Sequence, residues 1–258
     1  MRGPAPAAGG FKNYSGPQAE QYLAFRPRYP VELLDYLGAA AGGTALAWDC
    51  GTGNGQAAVG LAERFTRVVA TDPSADMIAH AIPHARVTYR VARYQSGLPD
   101  NSANLVTVAQ ALHWFDLDEF LPEARRVLLE KGVLAAWCYS LCRIDAGLDE
   151  VIDQYYTGTL GSFWPPERWH TDDRYRSFAL PLDELGPPPF EMSESWTMNA
   201  FIRYVRTWSG TNLCIAARGE GPVLAFENSL CERWGNPLEP RQVRWPIHCR
   251  IGRFREAG

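Results

Sequence analysis

Between Ala45 and Trp137 short apolar runs alternate with amphipathic stretches, and this alternation constrains the fold more than any other feature of the chain. Ala45 to Cys50 reads as a buried strand, and Ala57 to Phe65 as the helix that follows. The pairs then continue: strand Arg67 to Thr71, helix Ser74 to Ile82, strand Val87 to Ala92, strand Leu105 to Gln110, helix Leu117 to Leu128, and strand Gly132 to Trp137. Strands linked through helices run parallel, because each crossover returns the chain to the same end of the sheet. The expected fold is therefore α/β, a doubly wound and mostly parallel sheet. Ligands of such sheets bind at the carboxyl ends of the strands, near the reversal of strand order.

That end of the first strand carries Asp49-Cys50-Gly51-Thr52-Gly53-Asn54-Gly55. Glycine between a strand and a helix lets a ligand approach the backbone, since no side chain stands in the way. Asp72 closes the next strand 23 residues after Asp49, where an acid accepts hydrogen bonds from the ribose hydroxyls of an adenosine. A nicotinamide or flavin dinucleotide requires G-x-G-x-x-G/A. Counted from Gly51 the third small residue falls on Gln56, and counted from Gly53 the helix enters one turn late. The dinucleotide reading fails on spacing.

With 46% hydrophobic and 21% charged residues, the 258-residue chain has ample material for a core. Its net charge of −4 supplies no basic face for gripping phosphates, and the arginines at 241, 244, 250, 253 and 255 read as the solvent side of a strand. The six cysteines form no CxxC pair and no cluster with zinc spacing, so no metal is expected. Residues 1–13 read as a flexible Pro/Ala/Gly-rich tail without a signal peptide's apolar centre, and no run approaches the ~20 residues of a membrane span. The expectation is a soluble, cytoplasmic protein with no membrane or nucleic-acid partner, a monomer or a homodimer. Residues 14–258 form one domain, with an aromatic, proline-rich insertion at about 142–189 expected to cap the substrate. The sheet resumes at Phe190 to Thr197, helices follow at Ala200 to Trp208 and Val223 to Trp234, and Val243 to Phe254 closes the chain as a strand whose Pro246 implies an edge or a bulge.

On these residues the chain resembles the class I S-adenosylmethionine-dependent methyltransferases. Ala109-Gln110-Ala111-Leu112-His113-Trp114-Phe115, Tyr22 to Pro30, Thr207-Trp208-Ser209 and Val243 to Ile247 are similar to the subgroup containing trans-aconitate methyltransferases. The resemblance implies a Rossmann-like sheet with an antiparallel last strand and a lid inserted between strands five and six. It implies S-adenosylmethionine as cofactor, S-adenosylhomocysteine as product, and no metal. Asp49, Gly51, Thr52 and Gly53 would line the methionine moiety, Asp72 the ribose, and Pro73, Ser74 and Met77 the adenine. Ala92 and Arg93 occupy the place where the adenine amine is read. Many relatives carry an acid at the second position, and arginine accepts no hydrogen bond. Gln110 and Ala111 would lie beneath the sulfonium, and Tyr14, Tyr22 and Arg26 would close over it.

The acceptor half is less determined. His113, Trp114 and Phe115 would face the reaction chamber, and Trp164 and Trp169 from the insertion would line it or pack it. His113 is the candidate general base; a carboxylate acceptor needs none, a hydroxyl does. His113 equally reads as a residue holding the loop after the fourth strand. The Asn/Asp-Pro-Pro-aromatic string of enzymes that methylate nucleic-acid bases is replaced here by Gln110-Ala111-Leu112-His113, which favours a small-molecule acceptor. A protein or RNA methyltransferase, or a non-catalytic S-adenosylmethionine-binding protein, remains open as the alternative.

Overall fold

The computed structural model describes residues 27–256. The tail at 1–13 and Tyr14, Tyr22 and Arg26 lie outside the described residues. Helix α1 (Val31–Ala40) precedes strand β1 (Leu46–Cys50), helix α2 (Gln56–Ala62), strand β2 (Arg67–Asp72) and helix α3 (Ala75–Ala79). Strands β3 (Val87–Val91) and β4 (Ala103–Ala109), helix α4 (Leu117–Val127) and strand β5 (Leu128–Tyr139) complete the alternation. The sheet order is β3-β2-β1-β4-β5-β8-β6, where β8 is Arg241–Phe254 and β6 is Leu182–Glu184, and β7 (Phe190–Trp196) also pairs with β8. The first five strands are parallel, and β8 runs antiparallel to β5.

The sheet is covered on both faces, and the sequence alternates between them residue by residue. Ala47, Val68, Ala70, Leu105, Val133, Ala135 and Trp137 enter one core. Their neighbours Trp48, Val69, Val106, Leu134, Ala136 and Cys138 enter the other. Both sets must therefore be apolar, which is why these strands read as continuous hydrophobic runs rather than as alternating ones. Strand order reverses between β1 and β4, which are hydrogen-bonded neighbours, so the crevice opens beyond Cys50 and Ala109.

Departures from the expected elements have local causes. Helix α3 stops at Ala79 instead of Ile82, because Pro83 disfavours helix at the residue before it and the Ile82 amide is drawn to the Asn54 carbonyl at 2.9 Å. Pro246 lies inside a strand paired on both sides rather than on an edge; the ladder shifts register there, from Tyr139↔Ile247 to the Arg143↔Arg244 bridge, leaving a bulge. The C-terminal arginines are not simply solvated. Arg241 meets Asp145 at 2.7 Å, and Arg250 meets Glu184 at 2.6 Å.

Between β5 and β6 the chain forms helix α5 (Ala146–Asp153), a π turn at Gln154–Thr159, and helix α6 (Arg168–Asp172). The π turn is visible as the Leu160 amide donating to the Tyr155 carbonyl five residues back, at 2.9 Å. Helices α7 (Met198–Arg206), α8 (Ser209–Arg218) and α9 (Gly221–Trp234) follow β7. Helix α8 was not expected, because its buried face is built from Gly210, Thr211 and Cys214 and shows no apolar stripe. Among the described residues no helix is long and apolar enough to cross a membrane.

Candidate active site

The glycine loop is pinned to the end of β2. The amides of Gly51 and Thr52 donate to the Thr71 carbonyl at 2.8 and 3.0 Å. Asp72 then gathers the turn: its carboxylate accepts the Gly53 amide at 2.9 Å and the Ser74 amide at 2.9 Å. Each of its oxygens retains a further lone pair, and Asp72 lies in the cleft wall. Burial holds the Asp72 carboxyl above the usual range, partly offset by those two amides. Gly51 has φ +71°, and an added Cβ would stand 2.9 Å from the Ala111 Cβ and 3.0 Å from the Phe115 ring. Gly55 has φ +87°, and an added Cβ there would collide with the Tyr89 hydroxyl.

Asp49 sits below the loop instead of in it. Its side chain is fully buried and is not among the residues of the cleft wall. It accepts the Thr52 hydroxyl at 2.5 Å and the Thr107 hydroxyl at 2.7 Å, tying the loop to β4. Burial raises its carboxyl to about 6, more than these hydroxyls lower it, and Asp72 raises it further.

The cleft above the loop includes Gly51, Thr52, Gly53, Asp72, Ser74, Met77, Gln110 and Ala111 of the residues expected there. Pro73, Ala92, Arg93 and Phe115 are not in its wall. The guanidinium of Arg93 lies 5.0 Å from the Tyr94 ring centroid and 3.9 Å from Glu119, and Phe115 packs on Phe120 behind Gly51. The sequence reading missed Tyr29, Asn54 and Tyr139. Buried Asn54 lies in the cleft wall, and its Nδ2 has no hydrogen-bond partner among the described residues. An orphaned donor, a floor where a Cβ at Gly51 would clash, and a ribose-type acid at Asp72 together fit a nucleoside bearing an amino-acid tail.

A second pocket adjoins the first, and the two share Gln110, Trp114 and Tyr139. Gln110 is held at φ +54°, a conformation rare for residues with a Cβ, and its Oε1 accepts the Tyr139 amide at 2.9 Å. The other walls come from His113, the insertion residues Tyr156, Trp164 and Arg168, and Tyr204 and Trp208. Trp164 packs against Gly210 of α8, where an added Cβ would lie 3.1 Å from its ring. Trp169 lines neither pocket and is 58% exposed, with His170 beside it at 5.1 Å between ring centroids.

His113 meets two buried hydroxyls at one nitrogen. Tyr175 Oη lies 3.0 Å from Nδ1 and Thr171 Oγ1 lies 3.4 Å from it. Tyr175 is fully buried, and burial pushes its hydroxyl well above the usual range, so it stays protonated. A buried hydroxyl must donate, and Nδ1 is the acceptor within its reach among the described residues. With Nδ1 accepting from Tyr175, a neutral His113 would carry its proton on Nε2. Arg174 and Tyr175 hold this arrangement through two consecutive left-handed conformations, φ +62° and +59°. His113→Gln, which keeps an N–H donor but cannot take up a proton, is expected to retain turnover within about tenfold, whereas loss of a true base costs roughly 100-fold or more. Steady-state kcat decides between the two.

The comparisons agree with this geometry. A methyltransferase-domain family model matches residues 48–136, the stretch from β1 to β5. A Dictyostelium discoideum protein assigned as a methyltransferase is 34% identical over 239 residues, 91% of each chain. A Mycobacterium tuberculosis protein named as an uncharacterized methyltransferase is 40% identical over 116 residues, 44% of this chain and 46% of its own. The solved structure of a protein assigned as a type II methyltransferase from Anaeromyxobacter dehalogenans superposes with a TM-score of 0.85 at 46% identity, over 89% of this chain and 98% of that one. A glycine loop closed by a ribose-type acid, on a sheet whose whole length matches such relatives, places the chain among the class I S-adenosylmethionine-dependent methyltransferases.

Proposed function

We propose that the enzyme methylates a small molecule held in the second pocket, with the cofactor in the first cleft and residues 142–189 acting as the acceptor cap. The observation that carries this reading is the shared wall of Gln110, Trp114 and Tyr139, which brings two separately lined cavities to one point. Bound S-adenosylmethionine would supply an electrophilic methyl group on a sulfonium.

The chain's own residues do the positioning. Thr52, Gly53, Asp72, Ser74 and Asn54 would hold the nucleoside and amino-acid ends from backbone and side chain. Gln110, fixed by the Tyr139 amide, would set the floor between the cavities. Trp164 and Tyr156, with rings 4.7 Å apart, would close the acceptor against the sheet and exclude water. Alignment of this kind removes on the order of 7 kcal/mol or more from a displacement barrier. His113 would donate from Nε2 and orient the acceptor without taking its proton.

Formation of S-adenosylhomocysteine over a panel of metabolites tests the reading. Trp164→Ala is expected to lower kcat/KM for any productive acceptor by about tenfold or more while leaving S-adenosylhomocysteine affinity unchanged. Equal kcat/KM in that variant would move the acceptor out of this pocket. Turnover only on a protein or RNA substrate would favour the macromolecular alternative.

A further inference from the structure

The second pocket contains a cation that methyl transfer does not itself call for. Arg168 opens α6, and its guanidinium lies 5.6 Å from the Tyr156 ring centroid and 5.3 Å from that of Trp164. Its Nε donates to the Tyr156 hydroxyl at 2.8 Å. Asp172 stands 3.5 Å from the same Nε and accepts the Tyr156 hydroxyl at 2.8 Å. Phenol and acid are thus both recruited to the Nε edge. Among the described residues neither Nη1 nor Nη2 has a hydrogen-bond partner, although the residue lines the pocket.

A guanidinium is permanently charged and presents its donors as a planar fork. Leaving that fork against aromatic walls without an acceptor is costly. The remaining polar groups of the pocket do not relieve it. Trp164 Nε1 is committed to the Tyr156 carbonyl at 3.0 Å, Ser140 Oγ is paired with His248, and His113 Nδ1 is paired with Tyr175. Among the described residues no carboxylate belongs to the pocket wall. Among the described residues the cavity's side chains therefore offer a fixed cation and no fixed anion, which favours an anionic ligand over a cationic one.

We infer that the acceptor is an anion, and that Arg168 reads a carboxylate-type group on it through the paired Nη donors. This rests on the two-pocket reading above. Tyr156 and Trp164 hold the guanidinium plane, and Asp172 fixes its back edge without filling the ligand side. Arg168 is then the residue that sets acceptor specificity.

The test uses the full chain saturated with S-adenosylhomocysteine and three probes of one skeleton: phenylacetate, phenylacetamide and phenethylamine. Trp114, Trp164 and Trp208 line the pocket and report binding by fluorescence. Phenylacetate is expected to bind about tenfold or more tightly than the amide, and the amine more weakly still. Added salt is expected to reduce that margin. Arg168→Gln should erase the preference and Arg168→Lys should keep part of it, since a point charge lacks the fork. The inference is overturned if the amide or the amine matches phenylacetate, if phenylacetate does not bind, or if Arg168→Gln keeps the same preference. Calorimetry with S-adenosylhomocysteine on the same samples separates the two readings: loss of that binding in the wild type refutes the cofactor cleft, while intact binding without charge preference refutes Arg168 alone. Should Arg168→Gln fail to fold, the wild-type charge series and Arg168→Lys still decide.

Discussion

Asp49→Asn is expected to melt at a higher temperature than the wild type at pH 7.5 and to bind S-adenosylmethionine less well. The carboxyl is raised to about 6 from an ordinary 3.8, chiefly by burial. A raised carboxyl means that the folded state prefers the protonated form. The penalty is absent below pH 3.8, grows as pH rises, and is complete above about pH 6. Two units correspond to roughly 3 kcal/mol of lost stability at neutral pH. Asparagine is nearly isosteric and neutral, and the Thr52 and Thr107 hydroxyls can turn to pair with it. The gain should appear as a melting temperature several degrees higher at pH 7.5, on the order of 2–4 °C per kcal/mol, and should vanish toward pH 4. The same substitution removes a negative charge from beneath a cleft that takes a cationic sulfonium. Binding of S-adenosylmethionine should weaken by about tenfold, and that of the uncharged thioether product by less. A melting temperature that is unchanged or lower at pH 7.5, with both affinities intact, would refute this account of Asp49.

Asp49 also shows where sequence reasoning stopped. The strand–helix alternation, the five parallel strands and the position of the crevice were legible, because burial on both sheet faces imposes apolar runs on β1, β2, β4 and β5. The loop and Asp72 were legible because their requirements are local: positive φ at Gly51, Gly53 and Gly55, and an acid two residues ahead of a capping serine. What Asp49 touches depends on Thr107, 58 residues away, and spacing along the chain does not report that. The same holds for the second pocket. Tyr175 reaches His113 across 62 residues, a contact that spacing along the chain does not report. Arg168 looks like a surface arginine between Glu167 and Trp169, and only the π turn that presents Tyr156 makes it a pocket residue. Trp169 is the converse case: an aromatic in a promising stretch that short helix α6 turns to solvent. Cofactor recognition is written in consecutive residues, and acceptor recognition in residues that meet only after folding.

Gly51→Ala is expected to abolish cofactor binding at ligand concentrations that saturate the wild type and to destabilise the chain by on the order of 2–4 kcal/mol. Two separate penalties combine at this position. The backbone stands at φ +71°, which costs an L-residue about 1 kcal/mol or more. The new methyl group would also lie 2.9 Å from the Ala111 Cβ and 3.0–3.1 Å from the Phe115 ring. Neither neighbour can yield cheaply. Ala111 is buried two residues beyond β4, and Phe115 is wedged between Tyr94 and Phe120 at ring-centroid distances of 5.2 and 4.9 Å. The loop must move instead, which pulls the Gly51 and Thr52 amides from the Thr71 carbonyl and shifts Gly53 off Asp72. Ala111→Gly in the same chain removes the closest contact and leaves the dihedral penalty, so it should restore part of the stability and only part of the binding. Chemical denaturation and calorimetry with S-adenosylhomocysteine on the single and double variants measure both. Full rescue by Ala111→Gly would show that crowding alone makes this glycine necessary; no loss in the single variant would remove the loop backbone from cofactor recognition.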